Sequence, residues 1–414
     1  MDFTFSEEQQ MLQETTRRFI AKDYSFETRR RIKEKSARGF SPEVWQGFAD
    51  LGLLALNVPE AEGGLGGSPI DTMLVMTAMG EGLVLEPYLA SAVIATRTVS
   101  MLGDDVQRAA MLPSMAAGEL IAVLAHDEPA TRFDWRAVET RAALVGDGYV
   151  PQGDSDLLSA KANARSYIPQ GDSDLLSAKA NARSYILTGH KSVIAHGVSA
   201  NILLVTARLA EPDATGPLAV FAVPHDAPGL RQVSYTTVDG VRASDVWLEQ
   251  VSVPAGALLN AASDTEACIG EILDTGLAAL CAEAIGALDR ILAATVEYAR
   301  NRKQFGVAIG KFQALQHRMA DMVLHIEQAR SMSYLAAVRC QDGDPAVRRH
   351  AMSAAKVVIG QACRFVGQQA VQLHGGMGVT DELDVSHYFK RLMAIELQFG
   401  STDHHLDVFA NQLN

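Results

Sequence analysis

The sequence predicts an α+β protein with three parts: an N-terminal α-helical domain, a middle antiparallel β-domain and a C-terminal four-helix bundle. Helix-start signals recur along residues 1–119, and short runs rich in Val, Ile, Leu and Thr occupy residues 120–257. Beyond Pro254, apolar residues recur at steps of three and four, as on one face of long helices. The bundle is therefore placed at residues 258–414, in a chain of 414 residues that is long enough for two or three domains.

The first helices are predicted from their starts. Ser6 and Gln9 have the spacing of a capping box, in which each side chain bonds the backbone N–H of the other residue. Ser41–Pro42 and Ser68–Pro69 each put a capping hydroxyl before a proline that suits the first helical position. The glycine-rich segment 63–67 lies between two of these starts with no preceding strand, so we interpret it as a structural turn and not as a phosphate loop.

Four strands are predicted in the middle domain because each run is short, apolar and bounded by Gly, Pro or Asp. They are Leu120–Ala125, Asn201–Ala207, Leu218–Val223 and Val246–Val253.

A tandem duplication interrupts this domain. Residues 151–168 are repeated without change at 169–186. Two identical segments do not fit two different core environments equally well, so we expect 151–186 to be an insertion outside the core, at a loop tip that tolerates it. Ser155 or Asp156 would cap a short helix over Leu157–Arg165. A neutral or artefactual duplication explains the repeat better than a function does.

The C-terminal helices are predicted from apolar stripes and one clear start. Asp344–Pro345 marks the start of the third long helix. Short connections between long helices indicate a bundle. The stripes of the first two helices are Leu273, Leu277, Leu280, Ala284, Leu288 and Leu292, and then Phe312, Leu315, Met319, Met322 and Ile326.

Composition excludes several classes of function. The net charge of −13 opposes binding to nucleic acid and to anionic membranes. The first residues have neither the basic nor the apolar region of a secretion signal, and no apolar run reaches the length of a membrane span. The four cysteines form no CxxC pair, so we expect free thiols in a reducing cytoplasm and no metal site.

Several motifs together resemble the acyl-CoA dehydrogenase family. Residues 298–306, YARNRKQFG, resemble the family's YxxxRxQFG signature, and residues 372–378, QLHGGMG, resemble its QxxGGxG loop. Further matches lie at Leu51–Leu53 and at Glu81–Pro87. The resemblance covers the chain except 151–186, and within the family the chain looks most similar to the small subunit of pimeloyl-CoA dehydrogenase.

The resemblance implies FAD as the cofactor, an acyl-CoA thioester as the substrate and electron-transferring flavoprotein as the electron acceptor. It implies α,β-dehydrogenation in a tetramer, with a carboxylate as the base that removes the α-proton. It also implies a set of residues that reach the FAD of a neighbouring subunit: Arg302, Phe305, Gln313, Gln372 and Gly376.

The sequence departs from the family where the chemistry takes place. The family's base, a glutamate before Gly-Thr, corresponds to Phe399, and the alternative base on the preceding long helix corresponds to Gly276. On the flavin side, Val193 and Ala195 stand at the family's aromatic and hydroxyl positions. Neither a phenyl ring nor a hydrogen atom accepts a proton, and neither valine nor alanine donates a side-chain hydrogen bond.

Three hypotheses follow. In the first, the chain is the base-lacking partner of a homologous large subunit in a heterotetramer. In the second, it is an active homotetramer with a relocated base, Asp403 or Glu396. In the third, it is a flavin-free binding or structural protein. The other titratable residues near the two base positions are Glu271, Glu283, His404 and His405, and we interpret the histidine pair as part of a polar turn before the last helix.

Overall fold

The computed structural model describes residues 5–145, 183–210, 215–259 and 262–412. Its N-terminal part is helical, as predicted. The helices are α1 (Glu7–Asp23), α2 (Phe26–Lys35), α3 (Pro42–Asp50), α4 (Pro69–Gly82), a π-helix (Tyr88–Ala95), α5 (Thr96–Leu102) and α6 (Asp105–Ala116).

The predicted helix starts are present. Ser6 and Gln9 form the reciprocal capping box of α1. Ser41 and Ser68 each cap a helix that begins at the following proline, and Ser68 does so in a second capping box with Asp71. The glycine-rich segment 63–67 is a turn ahead of α4. Local polar groups therefore set where these helices begin.

Within the described ranges, eight strands form one sheet. They are β1 (Ala122–Ala125), β2 (Arg141–Val145), β3 (Ser184–Ala195), β4 (Ile202–Ala210), β5 (Thr215–Pro224), β6 (Leu230–Thr236), β7 (Arg242–Pro254) and β8 (Leu258–Leu259). The order across the sheet is β6-β7-β3-β2-β4-β5-β8, and β1 pairs with another stretch of β4.

The sequence predicted an antiparallel sheet. The observed sheet is mainly antiparallel but contains two parallel pairings. β4 runs parallel to both β1 and β2. The chain reverses from β2 into β3 and again into β4, and β4 then lies beside β2 and not beside β3. The four predicted strands correspond to β1, β4, β5 and β7, whereas β2, β3, β6 and β8 were not among them. The mostly polar or half-exposed residues of β6 give little apolar signal.

The end of the duplication corrects one prediction. Most of 151–186, including the expected helix over Leu157–Arg165, lies outside the described residues. Ser184–Ile186, however, begins β3 and pairs with both β2 and β7. Ile186 is buried, and the Tyr185 ring packs on Phe221 with ring centroids 5.0 Å apart. The segment is therefore not wholly outside the core, because its last residues are good strand formers next to the rest of β3.

The C-terminal part contains four long helices and a short one. They are α7 (Thr265–Asn301), α8 (Gln313–Arg339), α9 (Pro345–His374), α10 (Asp384–Leu397) and α11 (Thr402–Asn411). A hairpin of β9 (Lys303–Gln304) and β10 (Val307–Ala308) connects α7 to α8. Asp344 caps α9 as predicted. The domain limits themselves, at 119 and 257, stay a prediction.

The N-terminal helices pack tightly on the bundle through two glycines. A Cβ placed on Gly80 of α4 would lie 1.9 Å from the backbone oxygen of Glu283, and one placed on Gly286 of α7 would lie 1.9 Å from that of Thr77. Only hydrogen atoms fit at this crossing, so the helix backbones touch directly.

A buried ionic cluster connects all three parts of the molecule. Arg391 of α10 binds Glu283 of α7 with nitrogen–oxygen distances of 2.6 and 2.7 Å, and Asp239 of the β6–β7 loop at 2.8 Å. Arg29 of α2 donates to the Asp239 backbone oxygen at 2.6 Å and to His387 Nδ1 at 2.9 Å. None of the helices in the described ranges combines the length and the apolar character that a bilayer span requires.

Candidate cofactor and catalytic site

The hairpin after α7 presents three of the predicted cofactor-binding residues. The Arg302 backbone N–H donates to the Tyr298 oxygen at 2.8 Å and ends the helix. Phe305 takes a left-handed φ of 54° at the hairpin tip, and its side chain is 91% exposed. Gln313 is the first residue of α8 and is exposed. A short turn between two long helices therefore holds an arginine, an aromatic ring and an amide at the surface.

The turn after α9 presents the other two. Gln372 lies in the last helical turn, and Gly376 lies in the 3₁₀ segment Gly375–Val379. Both residues are exposed. The Tyr298 ring of α7 stacks on the His374 ring of α9, with ring centroids 4.3 Å apart and planes inclined by 29°. The structure thus brings the two segments to the same end of the bundle.

The chemistry of these residues fits a dinucleotide bound at the surface of this chain. The Arg302 guanidinium has no ion-pair partner among the residues that the structure describes, and a free guanidinium is suited to two-point phosphate binding. The Phe305 ring is 91% exposed beside it, where a ligand or a second chain can reach it. Gly376 lets a ligand approach the backbone closely, because nothing lies within 4 Å of where its Cβ would be.

The two positions that the sequence analysis assigned to the family's base, Gly276 and Phe399, lie next to each other, and the Phe399 ring fills the space between them. A Cβ added to Gly276 of α7 would lie 3.2 Å from Phe399 Cζ and 2.9 Å from Ile94 Cδ1. Phe399 lies in the turn between α10 and α11 with a left-handed φ of 59°. The half-buried ring packs against both the bundle core and the adjoining core. No carboxylate occupies either position.

The turn that holds Phe399 is fixed by buried polar groups. Lys356 Nζ donates to the backbone oxygens of Glu396 and Gly400, at 2.8 and 2.5 Å. His405 Nε2 lies 2.9 Å from the Phe399 backbone oxygen, to which it donates, and its Nδ1 lies 3.2 Å from Ser353 Oγ. Burial lowers the pKa of His405 to about 3, so the ring is neutral at physiological pH.

The carboxylates near the base positions are mostly engaged. Glu396 is buried, accepts from the Thr402 backbone N–H at 3.1 Å and pairs with Arg364 at 3.1 Å. Glu271 pairs with Arg97 at 2.5 Å, and Glu283 is part of the ionic cluster. Asp403 is exposed in the first turn of α11. His404 and His405 belong to this helix and not to a turn before it, which corrects the sequence interpretation.

The sheet side of the site rests on a buried ion pair. Lys191 Nζ lies 2.5 Å from Glu128 Oε1, which also accepts from the Thr140 hydroxyl at 2.6 Å. Burial lowers the pKa of Lys191 to about 8, and the contact with Glu128 opposes this shift. Val193 lies on a β-bulge beyond this pair with its side chain 57% exposed. The pair connects β3 to the loop between β1 and β2 and leaves an apolar side chain at the position predicted to face the flavin.

Aromatic residues that the sequence analysis did not single out lie between the sheet and the bundle. Phe133 has a left-handed φ of 77°, and its ring centroid lies 5.4 Å from that of His404. Trp135 packs on Gly270 of α7, where an added Cβ would lie 3.2 Å from the indole. The signal was present in the sequence, since Arg132 and Phe133 stand where the family's TEPxxGSD motif has glycine and serine.

Two family models match the chain: the acyl-CoA dehydrogenase N-terminal domain over residues 6–119 and the acyl-CoA dehydrogenase C-terminal domain over residues 267–414. The probable acyl-CoA dehydrogenase YngJ of Bacillus subtilis (strain 168) is 27% identical over 420 residues, with 100% of both chains covered. The ChsE4–ChsE5 complex from Mycobacterium tuberculosis is similar with a TM-score of 0.81 at 26% identity, over 100% of this chain and 99% of that chain. A variant of the Tcur3481–Tcur3483 steroid ACAD gives a TM-score of 0.79 at 25% identity, with 98% of each chain covered.

Together the fold and the family models define an oxidoreductase fold of the class that acts on CH–CH bonds. The chain belongs to the acyl-CoA dehydrogenase family, whose members depend on FAD. The predicted fold class and the predicted family are thereby confirmed.

Proposed function

We propose that this chain is the base-lacking subunit of an acyl-CoA dehydrogenase heterotetramer, and that it completes the FAD site of a homologous chain that carries the base. The observation that carries the proposal is the Phe399 ring, which fills the space between the family's two base positions. A phenyl ring accepts no proton, so this chain does not remove the α-proton itself.

The division of labour is supported by what the chain retains. Arg302, Phe305, Gln313, Gln372 and Gly376 are all exposed at one end of the bundle, where a second chain can reach them. In this role Arg302 binds the pyrophosphate, and Phe305 and the Gln372 turn hold the adenosine end. FAD, when bound, supplies the acceptor for the hydride removed from the acyl chain.

The chain's own sheet–bundle space fits a flavin poorly. Phe133 and Trp135 pack onto the bundle there, and Val193 and Ala195 offer no side-chain donor. We therefore expect one FAD for each pair of unlike chains and not one FAD per chain.

The family resemblance supports an acyl-CoA substrate and electron-transferring flavoprotein as the electron acceptor, in the cytoplasm. The resemblance of the sequence to the small subunit of pimeloyl-CoA dehydrogenase favours a dicarboxylyl acyl group in the substrate. The ChsE4–ChsE5 complex and the Tcur3481–Tcur3483 steroid ACAD are each named as two chains, which favours two-chain assembly for this protein. The name of the second also favours a steroid side chain as the acyl group.

The proposal is tested by expressing the chain alone and together with a homologous base-carrying chain. We expect the chain alone to be colourless and inactive, and the complex to be yellow and active. Arg302→Ala in the complex should weaken FAD binding about tenfold to a hundredfold, the usual effect of losing a charged hydrogen bond. Arg30→Ala, which removes an exposed arginine of α2, is the matched control and should leave the affinity unchanged.

Two outcomes would contradict the proposal. A yellow homotetramer that turns over acyl-CoA would place the base within this chain, and loss of turnover in Asp403→Asn would then identify it. A complex without flavin absorbance would favour a flavin-free binding protein.

A further inference from the structure

The two cofactor-contacting segments, the β9–β10 hairpin and the turn after α9, are far apart in sequence but are joined by one aromatic contact. Tyr298 belongs to α7, four residues before Arg302, and His374 ends α9, two residues before Gly376. Their rings stack with centroids 4.3 Å apart, and the Tyr298 hydroxyl donates to the His374 backbone oxygen at 3.4 Å.

Each residue of this pair is also bound to its own segment. The Tyr298 backbone oxygen accepts the Arg302 N–H at 2.8 Å, and the Arg302 oxygen accepts the Ile309 N–H at 2.8 Å, which closes the hairpin. His374 Nδ1 lies 2.8 Å from the Ala370 oxygen, which accepts its N–H and fixes the plane of the ring within α9. The hairpin and the turn therefore have a common support.

That support is needed because the segments themselves are short and exposed. The hairpin strands have two residues each, and Phe305 at its tip touches only Phe312 among the described aromatic rings, with centroids 6.2 Å apart. A two-residue hairpin is only marginally stable in water without packing. The turn begins at Gly375 with a left-handed φ of 62° and has open space around it.

We propose that Tyr298 and His374 are a positioning pair that holds Arg302 and the Gln372–Gly376 turn at a fixed separation, so that both contact one dinucleotide at once. This inference rests on the proposed function. Neither residue needs to touch the cofactor. Preorganised contacts raise affinity because the chain loses less conformational freedom when the ligand binds. The pair is thus expected to act on the affinity for FAD and not on proton or hydride transfer.

The first measurement uses this chain alone. In Tyr298→Leu, hydrogen exchange should become faster at the Arg302 and Ile309 amides and, across the stack, at the Gly375 amide, which bonds the Gln372 oxygen. Tyr298→Phe retains the ring and should restore most of the protection. Tyr334→Leu, a change to a half-buried tyrosine of α8 whose ring is tilted against that of Phe5, is the matched control and should leave all three amides unchanged.

The second measurement uses the complex with the base-carrying chain and FAD itself as the probe. We expect Tyr298→Leu to weaken FAD binding by about fivefold to tenfold, the upper part of the roughly twofold to tenfold that an aromatic pair accounts for, and Tyr298→Phe to stay within about threefold of the wild type. His374→Leu should have a similar effect. The double variant should be little worse than either single variant, because both substitutions break the same contact. Turnover at saturating FAD should be retained.

The outcomes separate this inference from the proposed function. If Arg302→Ala weakens FAD binding but Tyr298→Leu and His374→Leu do not, the positioning pair is wrong and the subunit role stands. Additive penalties in the double variant, or faster exchange confined to α7, would also overturn it. If neither Arg302→Ala nor Tyr298→Leu affects FAD binding, the proposed function fails. If Tyr298→Leu does not fold, His374→Leu and Tyr298→Phe still provide the comparison.

Discussion

At the scale of single residues, Glu86 and Phe399 show how the surroundings decide what a side chain does. Glu86 is nearly fully buried beside the start of α3, where its Oε1 accepts the Ser41 backbone N–H at 3.3 Å. Burial raises the pKa of Glu86 from 4.5 to about 7, and the hydrogen bonds that Glu86 accepts, including the one from Ser41, oppose this shift only in part. A carboxyl group that resists ionisation makes the folded state sensitive to pH.

The direction of this sensitivity follows from the raised pKa of Glu86. The folded chain holds the proton more tightly than the unfolded chain, so the stability contributed by the protonated carboxyl is complete below about pH 4.5 and is lost as the pH rises to about 7. Glu86→Gln cannot ionise, and above pH 7 it should exceed the wild type in unfolding free energy by about 3 kcal/mol. Urea unfolding across the pH range tests this. Glu34→Gln, an exposed substitution in α2, should follow the wild type, and equal curves for Glu86→Gln and the wild type would refute the buried ionisation.

Phe399 gives a prediction about chemistry. Phe399→Glu restores the residue type that the family has at its base position, but the new carboxylate would lie against Gly276 and Ile94. We expect no dehydrogenation by this variant alone and a loss of about 2–4 kcal/mol in stability, because a half-buried ring that packs on two cores is replaced by a group that needs water. Acyl-CoA turnover with an artificial electron acceptor is the measurement, and Phe399→Leu is the control for packing. Turnover by Phe399→Glu would mean that the chain retains a working flavin site.

At the scale of secondary-structure elements, the crossing of α4 and α7 depends on Gly80 and Gly286. Gly286→Ala gains about 1 kcal/mol of helix propensity, but its Cβ would overlap the Thr77 backbone oxygen, which cannot move without displacing α4. We expect a net destabilisation of more than about 3 kcal/mol in thermal or urea unfolding. Gly256→Ala, with nothing within 4 Å of the added carbon, should change the stability by less than about 1 kcal/mol. A neutral Gly286→Ala would show that the helices separate easily.

Helix starts were predictable from the sequence because they depend on neighbouring residues. The capping groups Ser6, Ser68 and Asp344 act on backbone N–H groups two or three residues away. The parallel pairing of β4 with β1 and β2 was not predictable, since strand order is decided by contacts far apart in sequence. The presence of Phe399 at the predicted base position was visible from the motif alone, whereas the contact of Phe133 with α11 depended on how its loop folds.

At the scale of the whole molecule, the ionic cluster around Arg391 connects the three parts. Arg391→Met would leave Glu283 and Asp239 buried without their cation, so we expect a loss of about 3–5 kcal/mol. Arg330→Met removes the partly exposed pair with Asp289 and should cost about 1 kcal/mol or less. Urea unfolding measures both. If the Arg391 and Arg330 variants lose equal stability, the buried cluster contributes no more to the unfolding free energy than the partly exposed pair, and the prediction is wrong.

The exposed Phe305 ring has a consequence for the cell that makes this protein. In the free chain, Phe305 exposes an aromatic ring at the tip of a hairpin whose strands have two residues each. Other proteins, such as chaperones and proteases, can bind such a ring. If the proposed heterotetramer forms, copies of this chain made in excess of the other chain would keep the Phe305 ring exposed and would be degraded faster than assembled copies. Balanced synthesis of the two chains would then keep this ring covered.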